Sequence, residues 1–367
     1  GDSMLNRNSF RTTAYRLTVG GIVIAAAATG LAGCAPAADG GDGGDEPIRV
    51  ALIVKTNSNP FFVAMNKGAE AAAKDAGVSL TLAAGKDNGD EATQIQAIED
   101  AIARGDQGIL ITPAGAGVND AIKKARDAGI FVIALDSPTD PPDVVDITFA
   151  TDNRLAGKLI GEWTAAQLDG KKAVIGLLDG FDDVIISVDY ERDQGFLAGM
   201  GIAVGDDKVR GDEASTGSYS GGDYEIVGSE VTKGAEDAGV TGMEKLLAIN
   251  PNINVVYAIN EPSADGAVTA LTAAGANLDD VLVVAIDGGC AGVQSIVDGN
   301  IDATSQQYPV KMAELGVKAI VDLVKNGTKP AVTDGLDFFN TGVALVTDNP
   351  AAGVDSIDTG EGSKLCW

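Results

Sequence analysis

Residues 48–83 read IRVALIVKTNSNPFFVAMNKGAEAAAKDAGVSLTLA. The apolar run Ile48–Val54 predicts a buried strand, and the amphipathic, alanine-rich stretch Pro60–Ala76 predicts a helix. Proline in the first turn and Gly77 just beyond the last turn are typical helix boundaries. A second apolar run, Ser79–Ala83, predicts the next strand. A strand–helix–strand unit of this kind predicts a parallel sheet that is covered by helices.

The same alternation continues along the chain. Further strands are predicted at Gly108–Ile111, Phe131–Leu135, Ile147–Phe149, Lys172–Leu178, Val255–Ile259, Val281–Ile286 and Ile301–Ser305. Further helices are predicted at Ala92–Ala103, Val118–Ala128, Arg154–Gln167, Asp189–Met200, Gly239–Ile249 and Ala264–Ala274. Two such series predict an α/β protein with two similar lobes, each a doubly wound parallel sheet. Ligands of open α/β sheets lie at the carboxyl ends of the strands, so the residues that follow each strand are the candidate site.

The composition excludes several kinds of chemistry. The chain has 367 residues, a formal net charge of −27 and no histidine. Ser-His-Asp and Cys-His nucleophiles need an imidazole, and most zinc sites use one. Ala114-Gly-Ala-Gly117 lacks the third glycine of a dinucleotide-binding motif, and no P-loop occurs. We therefore expect no metal and no cofactor, and the strong acidity also excludes a nucleic-acid partner.

The N-terminal residues have the pattern of a secretory signal. Arginines precede a charge-free run from Leu17 to Ala38, which contains Leu31-Ala-Gly-Cys34 and so resembles the bacterial lipobox. The alternatives are a transmembrane anchor and a chance apolar terminus, but the Gly and Thr content disfavours a stable span. We interpret residues 1–33 as a lipoprotein signal peptide and residues 34–47, rich in Gly, Asp and Pro, as a flexible tether. A lipid on Cys34 would then hold an exported body at the outer face of the cell membrane.

Processing at Cys34 changes two counts. Residues 1–33 contain three Arg and one Asp, so their removal leaves 23 basic and 52 acidic side chains and a net charge of −29. It also leaves Cys290 and Cys366 as an even pair in an oxidising compartment. A disulfide between them and two buried free thiols are both compatible with the spacing.

Polar motifs follow the predicted strands in a defined order. They are Lys55-Thr-Asn-Ser-Asn59-Pro-Phe61-Phe62, Asp136, Thr151-Asp152-Asn153, Arg192-Asp-Gln-Gly195-Phe196, Tyr257-Ala-Ile-Asn260-Glu261, Val284-Ala-Ile-Asp287-Gly288-Gly289 and Ala303-Thr-Ser-Gln-Gln307-Tyr308-Pro309. In this order and spacing they resemble the type I periplasmic sugar-binding proteins of ABC importers, the ribose-binding-protein family. The Gly-Gly-Cys290 element and the C-terminal Leu-Cys366-Trp367 are most similar to the fructose-type branch of that family.

The resemblance implies a monomer with two lobes that close around one monosaccharide and deliver it to an ABC permease with its ATPase. It implies a multi-strand hinge, an N-terminal lobe of residues 48–151 plus 308–338, and a C-terminal lobe of residues 152–307 plus 339–367. The implied sugar-binding residues are Asn59, Phe61, Phe62, Asp136, Arg192, Asn260, Asp287 and Gln307. Aromatic rings suit the apolar faces of a sugar, while amides, carboxylates and a guanidinium suit its hydroxyls.

Each of these residues also has a structural interpretation. Caps and core packing would explain Asn59, the two phenylalanines and a lone aspartate after a strand, and Arg192 could be an exposed helix residue. Asn260 and Gln307 could bond their own backbone. We interpret Asp152 and Asn153 as helix caps.

The chain departs from the ribose binders in two places. An arginine follows the aspartate of the fourth strand in those proteins, whereas Ser137 stands here, so a charged donor is lost. The Gly-rich segment Gly211–Ala238 is longer than the family core and is predicted to be a disordered surface loop. Candidates for an aromatic wall near it are Tyr219, Tyr224 or a residue near Lys233.

Two other functions compete with solute capture for import. A surface glycoside hydrolase would use paired carboxylates, for which Asp136, Glu261 and Asp287 are candidates. A sugar-sensing co-receptor lipoprotein would differ only in the membrane protein that it contacts. Because accepting hydroxyl protons is a sufficient role for the carboxylates, we predict a receptor that is not an enzyme.

Overall fold

The computed structural model describes residues 46–182 and 185–367. The expected signal peptide, the lipidation site Cys34 and all of the tether before Glu46 lie outside the described residues. Within the described ranges, no helix is both long and apolar enough to cross a membrane.

The first lobe is built on a six-stranded sheet. Its strands are β1 (Arg49–Val54), β2 (Ser79–Ala84), β3 (Gly108–Ile111), β4 (Phe131–Leu135), β5 (Ile147–Ala150) and β12 (Phe339–Asn340). Its helices are α1 (Pro60–Ala76), α2 (Glu91–Arg104), α3 (Asn119–Asp127) and α9 (Pro309–Asn326). The strand order is β12-β5-β4-β3-β1-β2, with every pair parallel.

Strand β1 is apolar throughout because both faces of this sheet are covered. Val50, Leu52 and Val54 pack in the core with α1 and α9, whereas Ala51 and Ile53 pack in the core with α2 and α3. Successive side chains of a strand point to opposite faces, so a sheet between two helical layers needs a continuous apolar run.

The second lobe is built on a seven-stranded sheet. Its strands are β6 (Ala173–Asp179), β7 (Thr216–Ser218), β8 (Asp223–Val231), β9 (Val255–Ala258), β10 (Leu282–Asp287), β11 (Ala303–Gln306) and β13 (Ala344–Val346). Its helices are α4 (Asn153–Gln167), α5 (Ser187–Met200), α6 (Glu236–Ile249), α7 (Glu261–Ala273), α8 (Cys290–Val297) and α10 (Thr359–Leu365). The order is β13-β11-β10-β9-β6-β8-β7, and only the edge strands β7 and β13 are antiparallel to their neighbours. The predicted fold of two parallel-sheet α/β lobes is therefore confirmed.

The chain crosses from one lobe to the other in three passages, after β5, after β11 and after β12. The first two passages, residues 151–152 and 307–308, contain the expected lobe boundaries. The third boundary was expected between residues 338 and 339, but Phe339–Asn340 pairs with β5 in the first sheet. The third passage is therefore residues 341–343. A two-residue strand carries too little pattern to be recognised in the sequence.

The prediction of a disordered loop at Gly211–Ala238 is wrong. This segment contains β7 and the nine-residue β8, which pairs in parallel with β6. Tyr219 and Tyr224 are buried in the core beside α4 and α5, and their hydroxyls donate to backbone carbonyls. These two tyrosines are thus core residues and form no wall of the cleft. Of the glycines in this segment, Gly221 and Gly222 lie in the turn between β7 and β8.

The C-terminal residues are attached to both lobes. Cys290 and Cys366 form a disulfide with their Cα atoms 4.9 Å apart, so of the two states that the spacing allows the structure contains the bonded one. Trp367 follows directly and packs edge-on against Phe61 of the first lobe, with ring centroids 5.4 Å apart. Its indole nitrogen donates to the carbonyl of Gln307 at 3.0 Å. The chain end therefore connects α8 to residues at the lobe boundary.

Candidate functional site

A cavity lies between the lobes at the carboxyl ends of their strands. The volume open to the centres of water-sized spheres is about 50 Å³, so the side chains of the two lobes lie close together across the cavity. All eight expected site residues line it: Asn59, Phe61, Phe62, Asp136, Arg192, Asn260, Asp287 and Gln307. Residues far apart in the sequence are thus brought to one place by two sheets whose strands end there.

On the first lobe, the start of α1 forms an aromatic wall. Phe61 and Phe62 are buried with their rings perpendicular and their centroids 5.3 Å apart. Asn59 is the N-cap of α1, because its Oδ1 accepts a hydrogen bond from the backbone nitrogen of Phe61 at 2.9 Å. The capping interpretation therefore holds for Asn59, although within the described residues its Nδ2 donates to no other group.

On the second lobe, Asp287 and Arg192 lie side by side. Gln307 Nε2 donates to Asp287 Oδ1 at 2.9 Å, and Arg192 Nη1 lies 3.9 Å from the same oxygen. Arg192 is only 5% exposed, so the interpretation as an exposed helix arginine is wrong. Its Nε donates to Asn153 Oδ1 at 2.8 Å and its Nη1 to the carbonyl of Ile259 at 2.9 Å. These bonds fix the plane of the guanidinium.

The two residues that were interpreted as caps have different roles. Asp152 is the N-cap of α4 and accepts from the backbone nitrogen of Leu155 at 2.9 Å. Asn153 is the first residue of α4, and its side chain orients Arg192. Asn153 is thus a positioning residue rather than a cap.

Asn260 is the N-cap of α7. Its Oδ1 accepts from both the backbone nitrogen and the hydroxyl of Ser263, at 3.1 and 2.8 Å. Its Nδ2 donates to the carbonyl of Gly234 at 3.1 Å and so holds the loop after β8. The structural interpretation therefore describes most of its bonding, which leaves one amide hydrogen for a ligand.

Seven lining residues were not predicted: Lys55, Asn88, Phe181, Val188, Lys233, Gly234 and Ile259. Four of them follow a strand by one or two positions, namely Lys55, Phe181, Lys233 and Ile259. The rule that ligands lie at strand ends would have found these four. Phe181, which follows β6, supplies an aromatic side chain to the second lobe's side of the cavity.

Strained backbone is concentrated at this cavity. Within the described residues, four non-glycine residues have a clearly positive φ, and three of them line the cavity: Asp136 at 66°, Lys233 at 52° and Asp287 at 145°. Such conformations cost about 1–3 kcal/mol each, and they persist where the surrounding structure enforces them. Clustered strain of this kind is a mark of functional sites.

Burial disfavours the charged form of two carboxyl groups, those of Glu261 and Asp287. It raises the pKa of Glu261 to about 8, with a further rise from the nearby Asp287. It also raises the pKa of Asp287 to about 7, although Arg192 acts in the opposite direction. Glu261 accepts from the backbone nitrogens of Gly288 and Gly289 at 2.8 and 3.1 Å, so it holds the loop after β10. It is not among the lining residues, so of the three carboxylates considered for a hydrolase only Asp136 and Asp287 line the cavity.

We expect the melting temperature of the ligand-free protein to fall as the pH rises from about 6 to about 8, and Asp287→Asn to make this fall shallower. Unfolded carboxyls lose their protons near pH 4, whereas Asp287 keeps its proton to about pH 7 and Glu261 to about pH 8 in the folded protein. The folded state thus binds more protons in this window, and stability decreases with rising pH.

Thermal unfolding of both proteins across this pH range measures the two slopes. The matched control is Asp75→Asn, which removes a carboxylate from the exposed end of α1. We expect it to keep the wild-type slope. Equal slopes for wild type and Asp287→Asn would show that Asp287 is already ionised in the folded protein below pH 6.

Two α/β lobes joined by three passages, with a polar and aromatic cavity between them, define a two-lobed binding protein. The chain belongs to the periplasmic binding protein family, whose domain model matches residues 50–329. The ribose import binding protein RbsB of Salmonella typhimurium is 32% identical over 281 residues, which are 76% of this chain and 86% of that protein.

Solved structures agree with this assignment. A galactofuranose-binding protein has a TM-score of 0.70 and 26% identity, and the match covers 82% of this chain and 95% of that one. An ABC transporter solute-binding protein of Burkholderia graminis in complex with D-arabinose has the same TM-score, identity and coverage. These relatives are substrate-binding proteins and not enzymes.

Proposed function

We propose that this protein captures a monosaccharide, a pentose or a hexose, between its lobes and delivers it to an ABC import permease. The observation that carries the proposal is the convergence of charged, amide and aromatic side chains from both lobes on one cavity. Its relatives support it, since their names give ribose, galactofuranose and D-arabinose as ligands.

The chemistry of the cavity matches a sugar. Hydroxyls both donate and accept, and the cavity offers aspartates that accept, an arginine that donates and amides that do both. The rings of Phe61 and Phe62 offer apolar area for the C–H faces of a sugar ring. A sugar with the wrong stereochemistry would leave some of these buried groups unpaired, which is costly.

Capture would couple to transport through closure of the lobes. A ligand with contacts on both lobes binds the closed state more tightly, and so it shifts the open–closed equilibrium toward closure. The three passages between the sheets are the segments at which such a hinge would bend. We further propose that the receptor is a monomer that a lipid on Cys34 attaches to the outer face of the cell membrane.

A thermal-shift screen of the chain from Glu46 onward tests the proposal. D-ribose, D-arabinose, D-allose, D-fructose and D-galactose are the probes, with glycine betaine as a non-sugar control. At a concentration of about 100 times Kd, a true ligand stabilises by about 2.7 kcal/mol, which for a chain of this length is a rise of roughly 4 °C in the melting temperature. No rise with any pentose or hexose, or hydrolysis of a glycoside, would overturn the proposal.

A further inference from the structure

Trp367 contacts three elements of the candidate site although it does not line the cavity itself. Its ring packs edge-on against Phe61 of α1, with the two ring planes at 84°. Its Nε1 donates to the backbone carbonyl of Gln307. Its ring also lies beside Gly289, where an added Cβ would be 3.1 Å from a ring carbon. Because Phe61 and Gln307 line the cavity, Trp367 lies directly behind the cavity wall.

The disulfide attaches Trp367 to the second lobe. Cys366, the preceding residue, is bonded to Cys290, the first residue of α8. The backbone nitrogen of Cys290 also donates to the carbonyl of Trp367 at 3.2 Å. Cys366 packs against the core of the second lobe, whereas the ring of Trp367 packs against the first-lobe core that contains Phe61. Two consecutive residues thus contact different lobes, and a covalent bond keeps the indole at Phe61.

The ring of Phe61 is held by two aromatic neighbours. It is nearly perpendicular to the ring of Phe62 and to the indole of Trp367, with centroids 5.3 and 5.4 Å away. Edge-to-face pairs of this kind contribute to stability beyond the area that they bury. A side chain that is already fixed loses less conformational entropy when a ligand binds against it.

We propose that Trp367 is a positioning residue of the sugar site, which holds the ring of Phe61 and the backbone of Gln307, and that the Cys290–Cys366 disulfide keeps it in place. This inference rests on the proposed function. Without the indole, Phe61 gains other orientations, and the entropy of fixing its ring must be lost when the sugar binds. Affinity should then fall although no group that lines the cavity has been changed.

Titration calorimetry tests this with whichever of D-ribose, D-fructose or D-allose gives the largest shift in the screen. Trp367→Ala should weaken binding about 3- to 30-fold, because it removes an edge-on aromatic contact and a hydrogen bond. Trp367→Phe keeps an aromatic ring at this position and should recover part of the loss. Leu365→Ala is the matched control, since Leu365 is an exposed apolar residue two positions before Trp367. It should bind the sugar as wild type does.

A second set of variants separates positioning from general structural support. Phe61→Leu keeps apolar volume on α1 but removes the ring that the indole contacts. In this background the Kd values of Trp367→Phe and Trp367→Ala should differ by no more than about twofold, because substitutions that share one interaction are not additive. Cys290→Ser with Cys366→Ser should weaken binding in the otherwise wild-type protein and change the affinity of Trp367→Ala little, since both act through the indole.

Wild-type affinity in Trp367→Ala would overturn this inference alone. An equal difference between Trp367→Phe and Trp367→Ala with and without the ring of Phe61 would overturn it as well, because the indole would then not act through that ring. Wild-type affinity in the double serine variant would overturn the role of the disulfide. Failure of the wild type to bind any sugar would overturn the proposed function and this inference with it.

Discussion

Asp287→Ala is expected to weaken sugar binding by about 100- to 10,000-fold and to abolish the sugar-induced rise in melting temperature. A buried carboxylate can accept from two hydroxyls, and each hydrogen bond to a charged group contributes about 1.5–3 kcal/mol. Each 1.4 kcal/mol is a tenfold change in Kd. Arg192→Ala should act in the same direction, because it removes the donor that lies 3.9 Å from Asp287.

Titration calorimetry with the best sugar from the screen measures this loss. Asp279→Ala is the matched control, since Asp279 is exposed and precedes the same strand, β10, at its opposite end. It should bind sugar as wild type does. Asp287→Ala should remain folded without ligand, because burial disfavours the charged form of the Asp287 carboxyl when the cavity is empty. Circular dichroism of ligand-free Asp287→Ala and Arg192→Ala checks that both variants are folded. Unchanged sugar stabilisation in Asp287→Ala and Arg192→Ala would show that this cavity is not the binding site.

The sequence predicts the sheets well where both faces of a strand are buried. Strand β3 and helix α1 have the bounds that the apolar runs, Pro60 and Gly77 indicate. The pattern fails at β8, where charged residues alternate with apolar ones and neighbouring glycines are typical of a loop. An edge-side strand with one half-exposed face is polar enough to resemble a loop, and only its pairing with β6 reveals it.

The candidate site, like the sheets, is predicted only in part from the sequence. The strand-end rule and the family resemblance together locate the aspartates, Arg192 and the aromatic pair. Lys55 stands at a strand end in the same motif, but its hydrogen bond to Ser137, which is 82 residues away, cannot be read from that motif. The orientation of Arg192 by Asn153 and the bonding of Asn260 to its own helix are likewise contacts that no local pattern contains. Patterns thus indicate which residues face the cavity, whereas their pairing follows from the fold.

Helix α5, which carries Arg192, is held against α4 by direct backbone contact. A Cβ on Gly157 of α4 would lie 2.1 Å from the carbonyl oxygen of Arg192, and one on Gly161 would lie 2.1 Å from that of Phe196. The contact is reciprocal, because a Cβ on Gly195 of α5 would lie 2.4 Å from the carbonyl oxygen of Arg154. Glycines four residues apart on one helix share a face, so the pair on α4 forms a flat surface along which α5 lies.

Gly157→Ala is therefore expected to lower both the melting temperature and the affinity for sugar. Alanine gains up to about 1 kcal/mol in helix propensity, but the clash is with backbone on a neighbouring helix, and overpacking costs about 1–3 kcal/mol or more. The clash should win, since α5 must move to relieve it and Arg192 moves with it. The control is Gly360→Ala in α10, where the nearest atom to the added Cβ is a side-chain oxygen of Asp358 at 3.1 Å. Thermal unfolding and sugar titration should show losses of stability and affinity in Gly157→Ala that Gly360→Ala does not have. A Gly157→Ala protein with wild-type stability and affinity would show that the helix contact does not position Arg192.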